Sequence, residues 1–313
     1  MGAAAGSEKS KNTLLKRMYR DRQYYLLLIP GFLLTFIFKY LPMGGLVIAF
    51  QEFNIFKGIL NSPWTGLENF REVFSSHDFT RVFRNTLLIS LYKLFAGFPI
   101  PIVLSLMLNE LKNRIFKRSV QTIIYLPHFI SWVIISGMML SFFSPVTGAI
   151  NTVRDFFGMA RMTENFLTKA NTFRGFLVVT EIWKECGWNT IIYLAAISTV
   201  DQSLYDAAKV DGAKKLRQIL HVTLPCVSGV IVILLILSIG FMMDAGFDQI
   251  MALQNDLVRD VSDIFDTFTF RKGISGGRYS YTTAVSMFKS IISLILILGA
   301  DRFAKLIGEE GLI

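Results

Sequence analysis

Two cysteines, Cys186 and Cys226, and three histidines, His77, His128 and His221, are scattered through a chain of 313 residues. They are too few and too far apart for a disulfide framework, a zinc spacing or a histidine metal cluster. Charge is scarce as well: Asp, Glu, Lys and Arg make up 18% of the chain and hydrophobic residues 52%, whereas a soluble domain carries roughly 25% charged residues. There is no G-x4-G-K-[ST] phosphate loop, which excludes ATP hydrolysis by that route. Neither an H-E-x-x-H run nor a Ser/His/Asp grouping appears, which argues against a membrane enzyme. No internal repeat, low-complexity tract or separate soluble domain stands out. The formal charge of +9 lacks the basic stripe with interleaved aromatics that a nucleic-acid surface needs, so no nucleic-acid partner is expected.

What the chain has instead is apolar blocks long enough to cross a bilayer, which takes roughly 20 residues each. About six are expected, near 24–50, 84–108, 120–143, 174–200, 226–247 and 280–303. The fold class is therefore an all-α polytopic membrane protein. The first block is too long for a signal peptide and no A-x-A site follows it, so it is read as an uncleaved span. Lysine and arginine set the orientation. Lys9, Lys11, Lys16, Arg17, Arg20 and Arg22 precede the first span, and Lys112, Arg114, Lys117 and Arg118 join the second to the third. Lys209, Lys214, Lys215 and Arg217 lie between the fourth and fifth, and Arg302 and Lys305 follow the sixth. The opposite connections carry Glu52, Glu68, Glu72, Asp256, Asp260, Asp263 and Asp266. Both termini and the 201–225 loop are expected in the cytoplasm of a bacterial cell, with the chain multi-pass in the plasma membrane and in contact with lipid.

Two short amphipathic helices are expected on the outer side. One follows Pro63-Trp64-Thr65-Gly66, with Leu67, Phe70, Val73 and Phe74 on one face; the other carries Val153, Phe156 and Phe157. Each either packs on the bundle mouth and membrane surface or meets an external partner. Pro30, Pro42, Pro99, Pro101 and Pro127 fall within spans and free backbone carbonyls that neighbouring helices must satisfy.

The most informative segment is the polar interruption Ser203-Leu204-Tyr205-Asp206-Ala207-Ala208-Lys209-Val210-Asp211-Gly212-Ala213, followed by Leu224-Pro225. A helix is expected over roughly 203–211, capped either by Ser203 with Asp206 reaching back or by Asp201. Gly212 supplies a left-handed stop. Ala207 and Ala208 leave the backbone open to close approach by another surface. Helix resumes after Ala213 with Leu216, Ile219 and Leu220 as its apolar face, and Pro225 is tolerated in the first turn of the fifth span. An amphipathic connector lying on the inner leaflet is the alternative reading.

This spacing resembles the E-A-A-x3-G…L-P loop of ATP-binding-cassette importer permeases, with Asp206 in place of Glu and with Ala207, Ala208, Gly212, Leu224 and Pro225 matching. From about residue 20 onward the chain is similar to carbohydrate-uptake permeases of the type I importer class, the polysaccharide branch in particular. Gly66-Leu67-Glu68-Asn69-Phe70, Asn109-Glu110, Tyr125 to Trp132, Trp183 to Asn189, Ala245-Gly246-Phe247-Asp248-Gln249 and Gly308 to Leu312 carry the likeness. The resemblance implies a MetI-like core over about 80–303 with an extra amino-terminal helix, within a permease domain over 24–303 flanked by a basic segment 1–23 and a tail 304–313. It implies a second permease subunit, two cytoplasmic ATPases that bind ATP and Mg, and an external solute-binding protein. This chain then binds no cofactor, catalyses nothing itself, and meets the ATPases through Tyr205, Asp206, Ala207, Ala208, Asp211, Gly212, Ala213, Leu224 and Pro225.

Ionisable groups inside spans cost roughly 2.5–3.5 kcal/mol each on insertion scales and need a partner or a wet cavity. Helical spacing puts Glu181 over Lys184 and Glu185, and Lys184 over Trp188. With Trp183, Asn189 and Tyr193 this face offers a sugar both stacking surfaces and hydrogen bonds. Alternatively Glu181 and Lys184 pair to fix packing. Asp244, Phe247, Asp248 and Gln249 form a second candidate for the solute path, while Lys39, Lys93 and Lys289 are expected to snorkel or pair. The competing function is a secondary transporter driven by an ion gradient, but the inverted repeats and paired broken helices common in that class are not found.

Overall fold

The computed structural model describes residues 19–163, 165–309, 311 and 312. Lys9, Lys11, Lys16 and Arg17 of the basic segment, and Glu310 of the tail, lie outside the described residues. Among the described residues there is helix and no strand; Gln51 and Trp64 form an isolated antiparallel bridge. Four helices are long and apolar enough to span: α1 (Arg22–Phe50), the α3–α4 pair (His77–Gly97 and Pro99–Glu110), α10 (Lys215–Asp244) and α13 (Tyr279–Leu306). Counting α5 (Arg114–Tyr125) with α6 (Trp132–Phe142) as one bent span makes five. The other expected span, α8 (Ala170–Ser198), has 29 residues, but Arg174, Glu181, Lys184 and Glu185 make it too polar to count by composition.

Proline chemistry explains the irregular helices. Pro42 and Pro225 each follow a π turn, Phe36–Tyr40 in α1 and Ile219–Thr223 in α10. A proline ring clashes with the carbonyl four residues back, and the wider π turn moves that carbonyl aside. Pro127 sits in a 3₁₀ turn, Leu126–Phe129; Ile130 is then extended, and Ser131 caps α6 by accepting the Ile134 N–H at 3.4 Å. The third expected span, 120–143, is accordingly not straight, because α5 and α6 meet at 99°. The fifth, expected over 226–247, begins earlier at Lys215 and its α-helix ends at Gly240. Beyond it Ala245 (φ 49°) and Gly246 (φ 91°) turn left-handed, and a separate helix, α11 (Phe247–Leu253), follows.

Two apolar cores hold the bundle together. In the first, Phe79 and Phe83 of α3 meet Phe265 of α12 (Phe265–Thr269) and Phe288 of α13. In the second, Ile89 packs with Leu167, Phe173, Leu177 and Ile250. The first of the two expected amphipathic helices, α2 (Glu68–Ser75), packs on α13 with Val73 buried, while Leu67 and Phe74 of its expected apolar face stay exposed. The second, α7 (Ala149–Phe156), leaves Val153, Phe156 and Phe157 exposed and buries Asn151. At the other end Leu312 N–H donates to buried Asp301, which folds the tail back on α13.

Candidate functional site

The motif loop is a helix, α9 (Gln202–Val210), that buries none of its residues. Of the two expected caps, Asp201 is the one used: its side chain accepts the Ser203 N–H at 2.9 Å, and Asp206 instead pairs with Lys209 at 2.8 Å. The Ser203–Asp206 capping box is thereby corrected, because Asp201 is extended (ψ 126°) whereas Ser203 already lies inside the helix. These contacts hold both carboxyls below the usual aspartate range, through the Ser203 hydrogen bonds for Asp201 and the Lys209 hydrogen bond for Asp206.

The helix ends in a Schellman motif. Gly212 is left-handed at φ 75°, its N–H bonds the Lys209 carbonyl at 3.0 Å, and Ala213 N–H bonds the Ala208 carbonyl at 2.8 Å. Nothing lies within 4 Å of where a Gly212 Cβ would stand, so glycine serves the backbone conformation rather than a tight contact. Three side-chain bonds tie the loop to the bundle: Tyr205 Oη with Thr223 Oγ1 (2.9 Å), Gln218 with the Ala213 carbonyl (2.8 Å) and Lys215 with Glu110 of α4 (2.8 Å). The expected apolar face after Ala213 is not covered: Leu216 and Leu220 are exposed, and polar Gln218 is the residue turned inward. Leu224 is partly exposed, Pro225 exposed, and Asp211 and Ala207 face outward.

Inside the bundle, α3, α8 and α10 enclose a cleft of about 320 Å³. Glu181, Asn189, Tyr193 and Asp244 line it together with Lys93 and Glu185. The expected Glu181–Lys184 pair does not form. Glu181 turns to Lys93, whose Nζ also donates to the Ala245 carbonyl (2.9 Å) and Gln249 Oε1 (2.6 Å), with Glu181 Oε2 at 3.3 Å. Gln249, fully buried, passes its own N–H groups to the Leu177 carbonyl and Thr180 Oγ1. Ser90 donates to the Met242 carbonyl. Two α3 side chains therefore hold carbonyls of the segment in which α10 breaks off before α11. Lys289 likewise pairs, with Asp244 and Asp266 at 2.7 Å.

Lys184 belongs to a second cluster. Its buried Nζ donates to the His128 carbonyl (2.6 Å), meets Glu185 at 3.1 Å and stands over the Trp132 ring. The His128 ring bonds Glu185 at 2.7 Å and stacks on Trp188 with centroids 4.4 Å apart. Here α5 and α8 touch backbone to backbone, since a Cβ on Gly187 would run into the Ile124 carbonyl. A second cavity opens beside this cluster, lined by His128, Trp132, Lys184 and Asp248; Phe247 packs near Phe270 elsewhere, and Trp183 is exposed and lines neither cavity. The candidate path residues thus separate into several places. His128 and Ser90 were not among the expected path residues, and Pro127 within the third expected span was the signal that pointed to the bend.

Residues 97–309 match the family described as "Binding-protein-dependent transport system inner membrane component". Protein LplB of Bacillus subtilis (strain 168) is 46% identical over 94% of this chain and 92% of its own length. The polygalacturonan/rhamnogalacturonan transport system permease protein YteP of the same strain is 45% identical over 97% and 94%. Among solved structures, a bacterial alginate ABC transporter in complex with an alginate pentasaccharide-bound periplasmic protein superposes with TM-score 0.86 and 37% identity, covering 96% of this chain and 99% of that one. These likenesses support no ion-gradient mechanism. With its helical bundle and motif loop, the chain belongs to the binding-protein-dependent inner-membrane components and is a permease subunit of an ABC importer.

Proposed function

We propose that this chain is one permease half of an ATP-driven oligosaccharide importer. It pairs with a second permease, rests on two cytoplasmic ATPases and receives sugar from an external solute-binding protein. Both termini and the 201–225 loop face the cytoplasm, as the lysine and arginine distribution favours. ATP and Mg stay on the ATPases, and this chain supplies path and linkage.

The observation that carries the reading is the form of α9. It buries none of its residues, presents Ala207 and Ala208, and is bonded to α10 through Tyr205 and through the Ala213 carbonyl after its final turn, while Lys215 of α10 bonds α4. A surface docked on it can pull the inner end of α10 as a lever, giving a rigid-body change of access driven by differential contact in two states. The substrate class is supported by the carbohydrate relatives and by a cleft holding both rings and hydrogen-bonding groups. The test is ATPase activity of the reconstituted complex with loaded binding protein across an oligosaccharide panel. Stimulation by a subset of sugars is expected; activity indifferent to every sugar, or transport abolished by a protonophore and independent of ATP, contradicts the reading.

A further inference from the structure

A groove of about 680 Å³ runs between α3 and α8, apart from the cleft that Lys93 lines. Its α8 wall is one helical stripe from Arg174 through Gly175 to Val178 and Val179, and Phe95 and Ala96 face it from α3. Gly175 keeps that wall open, since nothing lies within 4 Å of where its Cβ would stand. Phe95 (74% exposed) and Val179 (65%) turn apolar surface outward although both lie within expected spans. The end nearest the start of α8 carries two cations. Arg174 is held in place: its Nε donates to the Val261 carbonyl at 2.9 Å and its Nη2 to Asn85 Oδ1 at 2.7 Å. A guanidinium has five N–H donors, so these bonds leave three without a protein acceptor. Arg84, exposed on α3, stands close enough for its charge to repel Arg174. Arg81 takes Asp78 of α3 and Asp260 beside Val261, and among the described residues neither Arg84 nor Arg174 joins an ion pair. Like charges at the edge of a bilayer are unfavourable until an anion joins them. Phe95 follows Arg84 by eleven residues, which returns a helix to the same face about 16 Å farther on. That matches the hydrocarbon depth of one leaflet, half of about 30 Å.

We propose that this groove holds an anionic phospholipid, its phosphate on Arg84 and Arg174 and one acyl chain laid past Gly175 between Phe95 and Val179. Guanidinium forks match phosphate oxygens bidentately. A net negative headgroup is preferred to a zwitterionic one, because the choline cation of phosphatidylcholine meets the same two positive charges. Each guanidinium contributes about fivefold in affinity. The site goes beyond the importer reading and is independent of the solute carried.

In the test the photoreactive analogue p-benzoylphenylalanine replaces Phe95 in the assembled transporter, held in nanodiscs of equal parts phosphatidylglycerol and phosphatidylcholine. Adducts formed on illumination are identified by mass spectrometry. Phosphatidylglycerol adducts are expected to exceed phosphatidylcholine adducts at least about tenfold. Arg84→Gln should cut that ratio about fivefold. Gly175→Leu, which fills the groove, should lower the yield of both lipids severalfold. Neither variant removes a hydrogen bond or ion pair among the described residues, and the leucine enters open space, so both should fold. Four results overturn the inference: lipid adducts in the bilayer's own ratio, a ratio or yield that the two variants leave unchanged, an adduct to a peptide of the second permease, or no adduct. Because no transport is measured, each of these leaves the importer reading as it stands.

Discussion

Replacing Lys93 by methionine removes one donor from three acceptors that belong to different parts of the bundle: Glu181 of α8, the Ala245 carbonyl at the α10–α11 break, and Gln249 of α11. Gln249 cannot swing to find another donor, because its own amide N–H groups are committed to Leu177 and Thr180. Polar contacts in membrane proteins are worth about 0.6 kcal/mol on average and up to about 1.7, so three together give about 2–5 kcal/mol. Glu181 is partly exposed and can be hydrated, which trims the expected loss to about 2–4 kcal/mol. Glu181→Gln should cost less, since Lys93 keeps its two better-buried acceptors. The double variant should lose about 1 kcal/mol less than the sum of the singles, because the orphaned charge is gone. The assay is equilibrium unfolding of the purified chain in mixed micelles titrated with SDS, read by tryptophan fluorescence. Lys93→Met within about 0.5 kcal/mol of the parent, or a strictly additive cycle, would refute the network.

Two further outcomes follow from local geometry. Gly187→Ala should destabilise the same unfolding transition by about 1–3 kcal/mol, since its Cβ meets the Ile124 backbone and α5 must move away from α8; an unchanged midpoint would show that the helices are not in backbone contact. The lowered pKa of Asp201 fixes the sign of a pH effect. Its cap supports α9 fully above the ordinary aspartate value of about 3.9 and is lost as pH falls through the lower folded value. Ser203 amide exchange, corrected for intrinsic rate, should accelerate at low pH in the parent and at all pH values in Asp201→Ala; a pH-independent parent contradicts the cap.

The motif loop was legible in the sequence because everything it uses is local. A capping aspartate, two alanines, a left-handed glycine and a proline act within a few residues of one another, and the helix lies within one residue of its expected bounds. The choice between Asp201 and Ser203 was the exception, since both residue types cap helices and only the backbone at Asp201 decides. The cleft was far less legible. Helical periodicity puts Glu181 near Lys184, yet Glu181 finds Lys93, 88 positions away, and Lys184 finds the His128 carbonyl, 56 positions away. Such pairings depend on how helices cross, which hydropathy does not encode. The end of the fifth span was misplaced for a related reason. Hydrophobicity continues through Phe241, Met242 and Met243, while Ala245 and Gly246 break the helix under the hold of Ser90 and Lys93 from a distant helix.

The central claim is that α9 is the cytoplasmic surface on which partner ATPases act, and cysteine labelling at Ala207 tests it most directly. With Cys186 and Cys226 replaced by serine, Ala207→Cys in membrane vesicles is treated with a membrane-impermeant maleimide, with and without the ATPases. Labelling in inside-out vesicles only, suppressed once the ATPases are bound, is the result expected. Labelling from the external side, or labelling that bound ATPases leave unchanged, would contradict the account.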